Sequence, residues 1–322
     1  MSIKLDITDL HASFRPFRDY LITMVPIVVL STYVYGWRVP VMLGISTVTA
    51  VIGDLLVFLM RKGTMDISDI SSITFAWILT LLLPASVSYS ILITGTLITV
   101  LIGKHAFGGY GAYPFNPVAF GFAFTAVAYP NDVFSYPAPF SSVPLSWVPD
   151  VELFKSPAFA MNQGARPGVG ITEMILGEYN GPAGTTFCIV AISCLVLLIV
   201  HDAMTWHIPV AYMTTFAALA FAFPRFQGTR PESMLSELIC GLVPFSAAYL
   251  VSEPTSSPKN SLAKLVYGVV LGAVSMAFTW FGTYEVAICF ALLASSPIGS
   301  FLDRKLSGSL IPRKEEAANG QN

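Results

Sequence analysis

Long apolar runs alternate with short stretches that are polar or rich in glycine and proline. In the first half the runs cover about residues 20–34, 39–60, 86–102 and 115–128. In the second half they cover about 185–200, 207–223, 235–251, 262–281 and 285–301. One further run, ITFAWILTLLLP, is closed by Pro84 and is short for a span, which needs about 20 apolar residues. It either begins earlier, near Ser71, or stops part way. The pattern predicts an all-α polytopic membrane protein with about ten transmembrane helices. Asp69 or Ser71 is positioned to cap the third helix.

Two places interrupt the apolar pattern. GKHAFGGYGAYPFNPVAFGFAF, residues 103–124, carries Gly103, Gly108, Gly109 and Gly111, which permit close backbone approach or positive φ. It also carries Pro114 and Pro117, which restrict φ, and Asn116, which bonds backbone and ligand atoms alike. The block is either a plain loop or a broken or re-entrant junction shaping a cofactor, ion or subunit site. The second interruption, Ser252-Glu253-Pro254-Thr255-Ser256-Ser257-Pro258, puts a carboxylate where an apolar helix stops. Such an acid marks a pathway or pairing site, or caps a helix at the interface. SSITFAWILTLLLPASVSYS and SELICGLVPFSAAYLVSEPTSSP echo one another as short apolar runs broken by proline and small hydroxyl residues. This predicts two inverted five-helix repeats with broken or re-entrant helices.

Charge orients the chain. Arg15 and Arg18 before the first span, Arg61-Lys62 after the second, and His201, Lys259, Lys264, Arg304 and Lys305 all fall on one side, read as cytoplasmic. Arg225 and Arg230 fall on the other side, against the rule. The expected organisation is a cytoplasmic lead-in 1–19, a first repeat 20–129, an outer non-helical insert 130–184, a second repeat 185–303 and a cytoplasmic tail 304–322. The insert is longer than an idle loop, and such loops are usually functional. Its Tyr136, Phe140 and Trp147 suit a membrane interface or the face of a flat ligand.

Composition agrees with a membrane protein. Of 322 residues, 54% are hydrophobic and 11% charged, against about 25% charged in soluble domains. The mean hydropathy is +0.69. A formal net charge of −2 gives no footing for nucleic acid. No charged stretch precedes a cleavage site at the N-terminus, so no removable targeting segment is expected. Cys188, Cys194, Cys240 and Cys289 lie inside apolar runs without metal-binding spacing and are read as buried structural residues, so no metal site is expected. No catalytic triad, zinc-protease or P-loop motif is present, and His105, His201 and His207 are read as interface residues.

GKHAFGGYGAYPFNPVAFGFAF closely resembles a signature of the RnfD/NqrB family, membrane subunits of the Rnf complex and of the sodium-pumping NADH:quinone oxidoreductase. SSITFAWILTLLLP is similar to the segment before that signature, and TWHIPVAYMTT to the stretch after the family's central loop. YLVSEPTSSP resembles its T-D-P motif, with Glu253 in place of aspartate. CFALLASSPIGSFLDRK resembles its closing segment, Asp303 matching the final aspartate. The matches keep their order from about residue 15 to 306.

The resemblance implies a subunit of a translocase in a bacterial or archaeal cytoplasmic (inner) membrane, rather than a complete enzyme. Other membrane and peripheral subunits would supply oxidation of NADH or ferredoxin. The family carries FMN, esterified through its phosphate to a threonine in an S/T-G-A-T motif. The counterpart here is Val169-Gly170-Ile171-Thr172, with Arg166 where the family has an upstream aspartate. A competing placement on residues 156–159 puts Phe159 where the threonine belongs. The resemblance therefore implies FMN, covalent at Thr172 or noncovalent, or riboflavin, with Gly170 and Arg166 as insert contacts. Gly108, Gly109 and Asn116 are the candidate contacts in the signature block, and Glu253 and Thr255 are candidates for coupling to Na+ or H+. The alternative is a solute or ion transporter or channel with an inverted-repeat fold and no redox cofactor.

Overall fold

The computed structural model describes residues 7–61, 69–240, 242–282 and 286–307. Lys62, Asp66, Glu285 and most of the predicted tail lie outside the described residues. The fold is mostly helical. Among the described residues, three helices are long and apolar enough to cross a membrane: Arg15–Tyr35, Arg38–Arg61 and Ser261–Phe281.

Helix α1 (Ile7–Tyr35) turns at Gly36, whose φ of +79° suits a residue without Cβ, into α2 (Arg38–Arg61). The stretch expected as a polar lead-in is thus already helical from Ile7. The short run after it becomes α3 (Ser71–Leu82), which both starts at Ser71 and stops before Pro84. Asp69 Oδ1 accepts the Ser71 N–H at 3.0 Å, meeting one free donor of the first turn. Extended residues lead to α4 (Tyr89–Leu97), which runs on as a π-helix from Ile98 to His105. After the glycine-rich turn, α5 (Pro117–Ala128) begins with proline at its first position, where no N–H is missed.

The insert, expected to be non-helical, holds three short helices, α6 (Pro130–Val133), α7 (Pro157–Asn162) and α8 (Ile171–Leu176). It also holds one antiparallel pair, β1 (Tyr136–Pro137) with β2 (Leu153–Phe154). Then follow α9 (Cys188–Val200), α10 (His207–Ala222), α11 (Arg230–Cys240), α12 (Val243–Tyr249), α13 (Ser261–Phe281) and α14 (Ala287–Ser307). The span expected over 235–251 is therefore two helices, with Leu242 at φ +59° and Pro244 in the first turn of the second. The four cysteines are buried and form no disulfide among the described residues.

One apolar core runs through both halves, from Phe17, Tyr20 and Phe75 to Tyr249, Leu271 and Ile288. Two polar ends close it. At the insert end, the guanidinium of fully buried Arg38 donates to Ala85 O (2.7 Å), Val87 O (2.8 Å), Pro144 O (2.6 Å) and Ser146 O (2.7 Å). It also lies 4.4 Å above the Tyr89 ring. Residues 84–88 and the 144–146 loop have no helix or sheet to take up these carbonyls, and Arg38 replaces one. Tyr136, read as lying at the interface or against a flat ligand, is 1% exposed; Phe140 and Trp147 are exposed, packed edge-on against Tyr33 and Tyr89.

Arg38→Met keeps the stem but leaves these carbonyls without a donor. It is expected to cost about 3 kcal/mol or more, read as a lower Tm of the detergent-purified protein. Arg38→Lys is expected to recover only part of this, because a point ammonium cannot serve a planar fork of acceptors.

Candidate functional site

The signature block and the second polar interruption meet at the end opposite the insert. The π-helix and α5 approach closely enough there that a Cβ on Gly103 would lie 3.0 Å from Pro117 Cα. The connecting turn reverses through Gly108, Gly109 and Gly111, with φ of +126°, +96° and +85°. These values are the reason for three glycines within four positions.

Asn116 then does two things. Its Oδ1 caps α5, accepting Val118 N at 2.9 Å and Ala119 N at 3.2 Å. Its Nδ2 donates to Leu250 O at 2.9 Å, tying the first interruption to the second. Tyr113 makes the companion contact: its hydroxyl lies 2.6 Å from Glu253 Oε1 and 2.9 Å from Thr255 Oγ1. Burial, and then the nearby Glu253 carboxyl, raise the Tyr113 phenol well above its ordinary range, so it stays protonated and donates to Glu253. The other oxygen, Oε2, accepts Ser256 N at 2.7 Å. Tyr20 Oη reaches Ser252 O at 3.3 Å, bringing α1 into the same junction.

Glu253 is 2% exposed, and no Lys, Arg or His pairs with it among the described residues. Its charge is met here by the Tyr113 hydroxyl and the Ser256 N–H and by no cationic side chain among the described residues. Beside it, the Ser252 hydroxyl is buried with no hydrogen-bond partner among the described residues, and Ser252 borders a cleft of about 270 Å³ that Thr205, Ser257 and Lys264 also line. Asp303 holds Lys259 of that lining, accepting Lys259 N at 3.0 Å and Asn260 N at 3.3 Å.

The structure thus brings Asn116, Glu253 and Thr255 together. Gly108 and Gly109 shape the turn leading to them. Arg166, Gly170 and Thr172 lie on the insert instead, and among the described residues no hydrogen bond joins them to the junction. Thr172 is exposed in the first turn of α8. Gly170 has an ordinary extended φ of −71°, so its glycine is not required by conformation, and its N–H donates to Glu173 Oε2 at 3.1 Å. The Arg166 guanidinium is taken by Gln227 O and Glu232.

One turn on from Thr172, Ile175 and Leu176 border a cleft of about 320 Å³ with the rings of Tyr33, Phe140 and Phe187. An open hydroxyl next to an aromatic-walled cleft fits a planar ring tethered through its side chain. Tyr113 and Arg38 escaped the sequence reading. Tyr113 sits inside the quoted block, but an aromatic among aromatics carries no signal of its carboxylate partner.

The fold and junction define a helical membrane protein whose two interrupted segments meet over a buried acid. The NQR2, RnfD, RnfE family model matches residues 8–308, and the chain belongs to that family. It is 25% identical to a protein of Haemophilus influenzae named as a subunit of the ion-translocating oxidoreductase complex, over 86% of this chain and 87% of that protein. The proteins of the same name from Vibrio atlanticus and Vibrio cholerae are each 24% identical, covering 88% and 89% of this chain and 90% and 91% of theirs.

Asn116→Ala removes both the cap and the tie to Leu250. It is expected to lower stability by about 2 kcal/mol, measured by thermal unfolding in detergent. Asn116→Asp keeps the cap but sets a buried carboxylate oxygen against the Leu250 carbonyl, and is expected to destabilise at least as much.

Proposed function

We propose that this chain is the membrane subunit of an Rnf- or Nqr-type ion-translocating oxidoreductase complex, relaying electrons through a flavin and coupling their passage to Na+ or H+ movement. Family membership and the names of the relatives support the complex. The observation that carries the coupling is Glu253: buried, doubly hydrogen-bonded and without a cationic side-chain partner among the described residues. In this reading Glu253 takes up and releases the ion or proton, with Thr255 and the Tyr113 hydroxyl supplying further oxygen atoms, and Asn116 holding the two segments in register.

Thr172 is assigned the flavin phosphate, with the ring in the cleft beside Ile175 and Leu176. A bound flavin would supply the electron chemistry; this chain supplies the tether, the aromatic walls and shelter from water. Gly108 and Gly109 act through the turn and not as flavin contacts. Partner subunits carry the nucleotide- or ferredoxin-oxidising step. The reading places the chain in a bacterial or archaeal cytoplasmic membrane, with ten crossings in two inverted repeats. In support, α1 packs on α9 and α5 on α14, while α1 against α3 is matched by α9 against α12.

Mass spectrometry of the intact chain is expected to show an FMN adduct that disappears in Thr172→Ala; an adduct surviving in that variant would overturn the attachment site. Glu253→Gln is expected to lower ion translocation by reconstituted complex at least about tenfold while leaving the amount of assembled complex unchanged. Equal losses of both would assign Glu253 to folding. Solute flux by the flavin-free chain alone would favour the transporter reading.

A further inference from the structure

A second group of titratable side chains lies where the π-helix ends. Lys104 is 1% exposed, and its ammonium reaches Asp69 Oδ2 at 2.6 Å, Ser72 Oγ at 2.7 Å and Asp54 Oδ1 at 3.8 Å. The same Asp54 oxygen accepts Ser72 Oγ at 2.8 Å and lies 2.6 Å from His105 Nε2. His105, read from the sequence as an interface residue, is engaged with α2. From α2, Arg61 donates to the His105 carbonyl, at the end of the helix. π-Helical turns are uncommon and are found frequently at functional sites. This one brings Lys104 and His105 onto the acids of α2 and of the segment before α3.

The charge balance of this group depends on one proton. An ionised Asp54 only accepts, so the ring proton of neutral His105 belongs on Nε2, and a second proton enters at Nδ1. With His105 neutral, Asp54 and Asp69 share the single charge of Lys104. With His105 protonated, two cations face two carboxylates. Arg61 is the remaining charged group facing His105 among the described residues.

From His105 the chain runs straight to the junction. Gly108 N donates to His105 O at 3.1 Å, Gly109 N to Lys104 O at 3.2 Å and Ala112 N to Gly109 O at 3.1 Å. Tyr113, bonded to Glu253, is the next residue.

We propose that the Asp54–His105 pair is a proton site distinct from Glu253, and that its occupancy sets how firmly the turn from His105 to Ala112 holds Tyr113 on Glu253. The proton comes from the aqueous phase and returns to it, with no covalent or redox step. Protonation turns the contact of His105 with Asp54 into an ion pair and holds the turn closed; loss of the proton removes that added attraction and loosens it. The coupling reading is needed only for what this motion does to transport, since the site itself is defined by Asp54, Asp69, Lys104 and His105.

The test reads the turn directly. Ala112→Cys, on the exposed part of the turn, is labelled with a maleimide in the purified complex, and labelling is followed on this chain by mass. Ser142→Cys, exposed on the insert, is the reference that divides out thiolate formation. The ratio of the two rates is expected to rise several-fold from acid to alkaline pH. The rise is expected to vanish in both His105→Gln and Asp54→Asn. A flat ratio in the otherwise unaltered chain, or an equal rise in the variants, overturns the proposal. Should His105→Gln fail to assemble, Asp54→Asn decides alone. Because labelling is independent of transport, a pH-dependent turn with unaltered transport in Glu253→Gln would refute the coupling reading and leave this one standing.

Discussion

Backbone that leaves a helix inside an apolar body must find its hydrogen bonds within the protein, because no water is there to supply them. This chain interrupts its helices at residues 83–88, 106–116 and 250–260, and each interruption is met by a side chain suited to the groups it frees. Arg38 answers four carbonyls at the insert end with a planar fork of donors. Asn116 has an acceptor for the N–H groups of α5 and a donor for the Leu250 carbonyl, a combination an aspartate or a lysine lacks. The closing part of the insert obeys the same constraint: Gly184 N and Ala183 N donate to Leu81 O and Leu83 O, and a Cβ on Gly184 would fall 2.6 Å from Leu81.

These bonds leave the molecule with two chemically different ends. The insert end gathers aromatic rings around the cleft beside Ile175 and Leu176, and a buried pair, Arg225 with Glu237, at 2.9 Å. The opposite end gathers Glu253, Tyr113, Asp54, Lys104 and His105. An electron carrier on the first and protonatable groups on the second would be joined only through packed helices. Coupling between them would then be mechanical, through elements that have two arrangements, and not through direct contact of cofactor and ion.

Much of this organisation was legible before any coordinates. Apolar runs marked the helices, because each must bury or face lipid along its length. Glycine and proline marked the turn after His105, because positive φ and restricted φ are written in residue type. Helix ends were less legible. Residues 235–251 hold Ser236, Glu237 and Pro244 among apolar neighbours, a pattern that reads as one interrupted span and not as the two helices α11 and α12. Residues 7–19 are polar, yet α1 extends through them.

By itself, then, the amino-acid sequence determined a membrane helical fold, the places where it breaks, and Asn116 and Glu253 as the polar residues at two of those breaks. Tertiary structure alone decided that these breaks meet, that Tyr113 donates to Glu253 across 140 positions of chain, and that Lys104 and His105 face Asp69 and Asp54. The reason is physical. Hydropathy and backbone preference act between near neighbours and leave their mark locally, whereas the partner of a buried charge is chosen by how distant helices pack.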